Sequence, residues 1–516
     1  MRRALVFVAA LSSASCERAS ETRSPTTSAI EVVELELAEA QRRMQAGTLS
    51  SAALTAAYLE RIAAIDDAGP QLGAVVELNP RARAEAEALD RERAQGRVRG
   101  PLHGIPVLLK DNIDAVGMVN SAGSLALAEH RPRADAPLVT RLRAAGAVIL
   151  GKTNLSEWAN FRSTNSTSGW SSRGGQTRNP YALDRNPCGS SSGTGAAIAA
   201  SLAAVGVGTE TDGSIICPSA IHGLVGLKPT VGLISGAGVI PISASQDTAG
   251  PMARTVRDAA ILLNGMTEET GAIDYTAGLD PGALQGKRIG VLRQAMGDDA
   301  RVDAITEAAL GSLRAAGAEV IDPVELATWG QWGEHEFEVL LYEFKDGIER
   351  YLRDSGAPVS SLAGLIAWNE QHARAAMPWF GQELFEQAQA KGGLDTPAYV
   401  TAKAAARRLA WDEGLGAALE RHRLDAVVAP GMGPAWPTDP VLGDRIGGGG
   451  GHGAAAVAGT PSLTVPMGQI HGLPVGLVFL GKPRGEAELL AMGYAFEQKT
   501  RARRPPTYRA TVTLDE

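Results

Sequence analysis

A chain of 516 residues with 44% apolar and 21% charged residues has ordinary globular composition, which excludes disorder over most of its length. Its 49 Lys and Arg against 57 Asp and Glu leave a net charge of −8, which argues against a nucleic-acid surface. Three cysteines, Cys16, Cys188 and Cys217, cannot make a disulfide scaffold or a Cys-rich zinc site, and with aromatics at 5% Ala-rich helices must supply much of the core. The 60 glycines show no Gly-X-Y repeat and belong to the turns of a large α/β-type chain of the kind that enzymes use.

Arg2-Arg3, an apolar run over 4–11 and small residues up to Ser15 describe a secretory signal over residues 1–16, too short to span a membrane. Small residues directly before Cys16 also resemble a bacterial lipoprotein box, although Ser13 stands where a leucine is usual. Residues 17–29 are polar, with Ser, Thr and Pro, and read as a disordered tether. The expectation is therefore an exported protein, periplasmic or anchored by lipid at Cys16. From Ile30 the pattern turns helical, Gly47 ends the first helix, and Ser50 is placed to cap a second over 51–65. A strand at Val75–Leu78, a charged helix over 81–93, and a strand running into a polar loop over 104–112 follow. Ala147 to Leu150 reads as a buried strand, 193–205 as an Ala-rich helix, and 208–214 as a polar loop. Residues 286–400 change character: strands at Arg288–Leu292 and near 319–321 lead into long helical patterns such as 336–354. They read as a mostly helical insertion in one large domain over 30–510. Strands near 425–428 and 462–466 return to the sheet. The run 447–451 is all glycine and reads equally as a loop over a pocket or a surface linker.

Two motif matches compete for the chemistry and fail on context. Gly146 to Thr153 fits the phosphate-loop pattern, but its middle residues Ala147 to Leu150 are apolar and want to be the strand itself, which commits their N–H groups to a ladder. Gly189-Ser190-Ser191-Ser192-Gly193 fits the nucleophile elbow of an esterase, with Ser191 central, but Asn186-Pro187-Cys188 replaces the strand that an elbow requires. The histidines are scattered singly, and His222 reads as a structural residue rather than a ligand. Asp212 and Asp247 could hold an ion, but nothing in the spacing asks for a metal or any other cofactor.

A third set remains. Lys110 ends an apolar strand, Ser190 lies in a Gly/Ser turn at a helix start, and Ser214 ends the 208–214 loop. A lysine buried among apolar neighbours loses its charge and can act as a base, which a serine nucleophile needs. Loop amides around Gly213 could face a developing oxyanion. Taken alone, Lys110 reads first as a strand-end lysine that snorkels to solvent.

Longer motifs change that reading. Pro187-Cys-Gly-Ser-Ser-Ser-Gly-Thr-Gly195, an Ala-rich helix, Gly208-Thr-Glu-Thr-Asp-Gly-Ser-Ile215, Pro218 and Gly223-Leu-Val-Gly-Leu-Lys-Pro-Thr230 resemble the amidase signature family. The similarity extends to 104–112, 151–154, 247–252, 434–436 and 459–468, so it covers nearly the whole chain after Ile30. The resemblance implies a central mixed, twisted β-sheet covered by helices in a single large domain, and hydrolysis of amide C–N bonds without a cofactor. It also implies a Ser–cisSer–Lys triad. Lys110 matches the family's base, Ser190 the bridging serine that follows a cis peptide bond, and Ser214 the nucleophile. The amides of Thr211, Asp212, Gly213 and Ser214 match the oxyanion hole.

Two departures bear on substrate. Where many members read T-G-G-S-I-R, this chain reads Thr211-Asp212-Gly213-Ser214-Ile215-Ile216. The missing arginine removes a cation that could hold an acidic substrate and weakens the tRNA-transamidating reading. Together with Cys217-Pro218 and the 241–247 segment, the pattern looks most like bacterial peptide amidases, which release ammonia from peptide C-terminal amides. Fatty-acid-amide and aryl-acylamide hydrolases share the core and stay open as alternatives, as does, less readily, an elbow esterase. The expected partner is a small-molecule or peptide amide; the oligomeric state is left open.

Overall fold

Long stretches of this chain are apolar at every position rather than at alternate ones, and such runs need cover on both faces of a sheet. In the computed structural model, which describes residues 30–267 and 273–513, they form the middle of one mixed sheet. The expected leader, the tether and Cys16 lie outside the described residues. The strands in chain order are β1 Val75–Leu78, β2 Pro106–Lys110, β3 Val148–Thr153, β4 Trp170–Ser171, β5 Gly175–Gln176, β6 Val205–Glu210, β7 Val225–Lys228, β8 Thr248–Ala253, β9 Arg288–Leu292, β10 Glu319–Val324, β11 Ala426–Pro430, β12 Ser462–Ile470 and β13 Leu473–Leu480. Among the described residues eleven of them make the sheet, in the order β1-β3-β2-β6-β8-β7-β12-β13-β11-β9-β10, and β4 pairs with β5 as a separate hairpin. Helices cover the sheet, as the resemblance implied, in a single domain.

The segment that mimics a phosphate loop is strand β3, parallel to β2 through pairs such as Leu109↔Lys152 and Lys110↔Thr153. Its backbone is spent on the ladder, so no cradle for phosphate forms there. Lys152 is fully buried and donates to the carbonyl of Ile113 at 2.6 Å. Ser50 caps the helix Ser51–Ile62 by accepting from the Ala53 N–H, as the sequence predicts.

One expectation needs correction. The Ala-rich helix stops at Ala199, and Gly208 to Glu210 belong to strand β6 rather than to a loop. Glycine alternation lowers the apparent strand signal, but it has a packing cause. A Cβ on Gly206 would lie 2.6 Å from Thr194 Cγ2, and one on Gly208 would lie 2.8 Å from Ser191 Oγ. Bare backbone lets the helix Ser192–Ala199 settle directly on the strand. Over 286–400, β9 and β10 form one edge of the sheet, and helices such as Gly333–Ser355 follow.

Because β2 and β6 are parallel neighbours, with Val107↔Val205 and Leu109↔Val207 in register, their C-terminal ends lie side by side. Lys110 and the Thr209-Glu210 pair therefore meet at one sheet end. Ligand sites of α/β sheets favour that location.

Candidate active site

Lys110 does not snorkel. It is 0% exposed, and its Nζ donates to Ser190 Oγ at 2.7 Å, to Thr209 Oγ1 at 2.9 Å and to the Thr209 carbonyl at 3.1 Å. Burial pushes its pKa down to about 7, against the opposing pull of Asp247 and Glu210. An amine in that range is substantially neutral at physiological pH and able to take up a proton. Asn112 Nδ2 also donates to Thr209 Oγ1 at 3.0 Å, which fixes the threonine beside the amine.

Ser190 is delivered by a backbone turn that tolerates no side chain before it. A Cβ on Gly189 would lie 2.1 Å from Ser156 Oγ, and the Gly189–Ser190 peptide bond is cis. The next residue ties this turn to the other serine: the Ser191 N–H donates to the Ser214 carbonyl at 3.1 Å. Lys110, Ser190 and Ser214 are thus brought together from three separate parts of the chain. Lys110 and Ser190 are closed to solvent, whereas Ser214 keeps 7% of its surface exposed.

The segment from Thr211 to Ser214 bends around Gly213, whose φ of +77° lies in the left-handed region. Glu210 anchors the far side by accepting from the amides of Ile215 at 2.7 Å and Ile216 at 2.9 Å. Asp247 braces the near side: its Oδ1 accepts from Thr211 Oγ1 at 2.6 Å, and its Oδ2 accepts from the amides of Ile242 and Ser243. Asp247 is thus a bracing group saturated by protein donors. Among the described residues the amides of Asp212, Gly213 and Ser214 donate to no protein acceptor. Free N–H groups gathered in one turn suit a developing negative oxygen.

The competing serine does something else. Ser191 Oγ donates to the Thr209 carbonyl at 3.0 Å and accepts from the Thr209 N–H, so it locks the helix to β6 and has no histidine among its partners. His222, fully buried, holds the Pro218 carbonyl at 2.7 Å through Nδ1 and has its pKa pushed down to about 4 by burial, as a structural residue should.

Several site neighbours are settled only by the structure. Cys188 and Cys217 form a disulfide. The glycine run 447–451 is pinned rather than free: Gly449 bridges to Met432, and the Gly450 N–H donates to the Gly431 carbonyl. It delivers His452 against Gly213, where a Cβ would lie 2.5 Å from His452 Nε2. A cavity of about 960 Å³ opens beside Asn112, Thr209 and Thr211, with Ile240, Ile242 and Tyr351 among its walls.

The large mixed sheet that carries this arrangement is shared with solved amidases. The family described as Amidase matches residues 53–490, and the chain belongs to that family; it is a hydrolase acting on amide C–N bonds. A protein from Arabidopsis thaliana named a probable amidase is 39% identical over 484 residues, covering 89% of each chain. The structure of the peptide amidase PAM in complex with the competitive inhibitor chymostatin is 58% identical, covers 92% of this chain and 99% of its own, and superposes with a TM-score of 0.90. That of native peptide amidase from Stenotrophomonas maltophilia is 57% identical with the same coverage and a TM-score of 0.88.

Proposed function

We propose that Lys110, Ser190 and Ser214 form a Ser–cisSer–Lys triad that hydrolyses carboxamides, with peptide C-terminal amides as substrate. The observation that carries the reading is the 2.7 Å contact between Lys110 Nζ and Ser190 Oγ, made by a wholly buried amine whose pKa burial brings to about 7. Neutral Lys110 accepts a proton passed on by Ser190 as Ser214 Oγ bonds to the amide carbonyl carbon. The carbonyl oxygen becomes an oxyanion facing the amides of Thr211, Asp212, Gly213 and Ser214. The proton returns through Ser190 to the nitrogen, the C–N bond breaks and ammonia leaves. Water then attacks the acyl-Ser214 ester with the same relay as base, releasing the acid and restoring the serine.

The likeness to solved peptide amidases supports the substrate class, and the largely apolar cavity beside Thr209 and Thr211 suits a peptide's side chains. We further infer that the protein is exported. The Cys188–Cys217 disulfide supports that reading, since such bonds persist in oxidising compartments. Ammonia release from amidated dipeptides, acyl amides and anilides tests the assignment. Activity on peptide amides that is lost in Ser214→Ala and kept in large part in Ser191→Ala supports it. Turnover of only acyl or aryl amides contradicts the substrate class, and turnover by Ser214→Ala contradicts the triad.

A further inference from the structure

The loop that carries Ser214 holds a carboxylate, Asp212, whose side chain keeps 34% of its surface exposed. His452 Nε2 approaches Asp212 Oδ1 at 3.4 Å, and Glu336, reaching in from the helix Gly333–Ser355, shares a hydrogen bond with Asp212. Glu336 is itself held by Gln246, whose Nε2 donates to it at 2.8 Å and also contacts the Thr211 carbonyl at 3.3 Å. The Asp212 carboxylate is therefore engaged by a second element of the fold and not by the amides of its own loop, which stay free for an oxyanion.

Glu210, Asp212 and Asp247 gather at this sheet end, and Glu336, its pKa pushed up to about 8 by burial and by the Asp212 charge, stands protonated against Asp212. The buried lysines that feel these carboxylates, Lys110 and Lys228, are both driven toward neutrality by burial, and the cavity wall also carries Arg133, Arg350 and Lys403. The position where an arginine would offer a cation is Ile216, fully buried. A partly desolvated carboxylate a few ångströms from a second one repels it far more strongly than it would in water.

We propose that Asp212, buttressed by Glu336 and His452, is a charge filter that keeps carboxylates out of the site, so that the enzyme takes carboxamide ends, refuses chains that end in a free carboxylate and expels its own acid product. The peptide part of this statement rests on the substrate reading above, whereas the filter itself does not. Specificity of this kind comes from a repulsive element rather than an added attraction.

The test compares the inhibition constant of a dipeptide acid with the KM of the matching dipeptide amide. In Asp212→Asn the ratio of the two falls about tenfold or more, because the acid is no longer repelled. In the unaltered enzyme the same ratio falls as ionic strength rises from about 0.02 to about 0.5 M, a readout that needs no variant. A ratio unchanged in Asp212→Asn, or insensitive to salt in the unaltered enzyme, overturns the filter. If the enzyme turns over only acyl or aryl amides, the same comparison is made with those amides and their acids. The substrate reading then fails by itself, and the filter stands or falls on its own ratio.

Discussion

Cys188 and Cys217 are joined by a disulfide that brackets the two serines of the site, one cysteine just before Ser190 and the other just after Ser214. The bond thus fastens the turn carrying Ser190 to the helix Ile216–Ile221 that follows the nucleophile loop, in parallel with the Ser191–Ser214 backbone contact. Its sequence separation of 29 residues implies about 3–4 kcal/mol of stabilisation from loop closure in the unfolded chain. Replacing both cysteines by serine should lower the free energy of unfolding by about that amount in guanidinium titrations. Dithiothreitol should do the same to the unaltered protein and nothing further to the variant.

Lys110 sets the pH dependence. Below about pH 7 its amine is protonated and cannot accept a proton, so kcat/KM should fall about tenfold per pH unit on the acid side and level off above. Lys110→Met should abolish that limb and cost about 10²–10⁴ in rate. For stability the sign is opposite to that of a paired lysine. The folded pKa lies below the ordinary 10.5, so between about pH 7 and 10.5 the unfolded chain binds more protons, and the Lys110 contribution to stability rises with pH across that window. A pH–rate profile without a limb near 7 would count against the relay.

Gly213 tests the loop geometry. Alanine there would have to hold a φ of +77° and would meet His452 Nε2 at 2.5 Å, so the loop must shift. A misaimed oxyanion donor typically costs about 10²–10³ in kcat. Steady-state kinetics of Gly213→Ala should show that loss in kcat, with a smaller change in KM.

The two buried lysines of adjacent strands separate chemistry from structure. Lys152 pairs with Asp111 at 3.4 Å with both side chains fully buried, and it also holds the carbonyls of Ile113 and Val119. Lys152→Met should destabilise the fold by about 3–5 kcal/mol in denaturant titrations, because it leaves buried acceptors and a carboxylate with one partner fewer. ATP should not raise the unfolding midpoint of the unaltered protein, since the loop-like motif is a strand.

The contrast between these lysines shows what the sequence made legible. The apolar run before Lys110 and the Asp-Asn after it placed a lysine at a strand end, and the run Ala147 to Leu150 marked β3 despite its phosphate-loop spelling. Ser50 announced its helix. Strand β6 carries a weak signal because Gly206 and Gly208 answer to helix packing rather than to strand propensity. The meeting of Asp212 with Glu336 could not be read at all. It depends on the helix Gly333–Ser355 folding back over the sheet end, a contact that no local pattern encodes. The same holds for Cys188 and Cys217, which only the turn before Ser190 and the helix after Ser214 bring together.

The most direct measurement is to quench the enzyme during turnover of a dipeptide amide and locate the acyl adduct by peptide mass spectrometry. The account predicts an ester on Ser214, absent in Ser214→Ala. An adduct on Ser191 or Ser190 instead would contradict it.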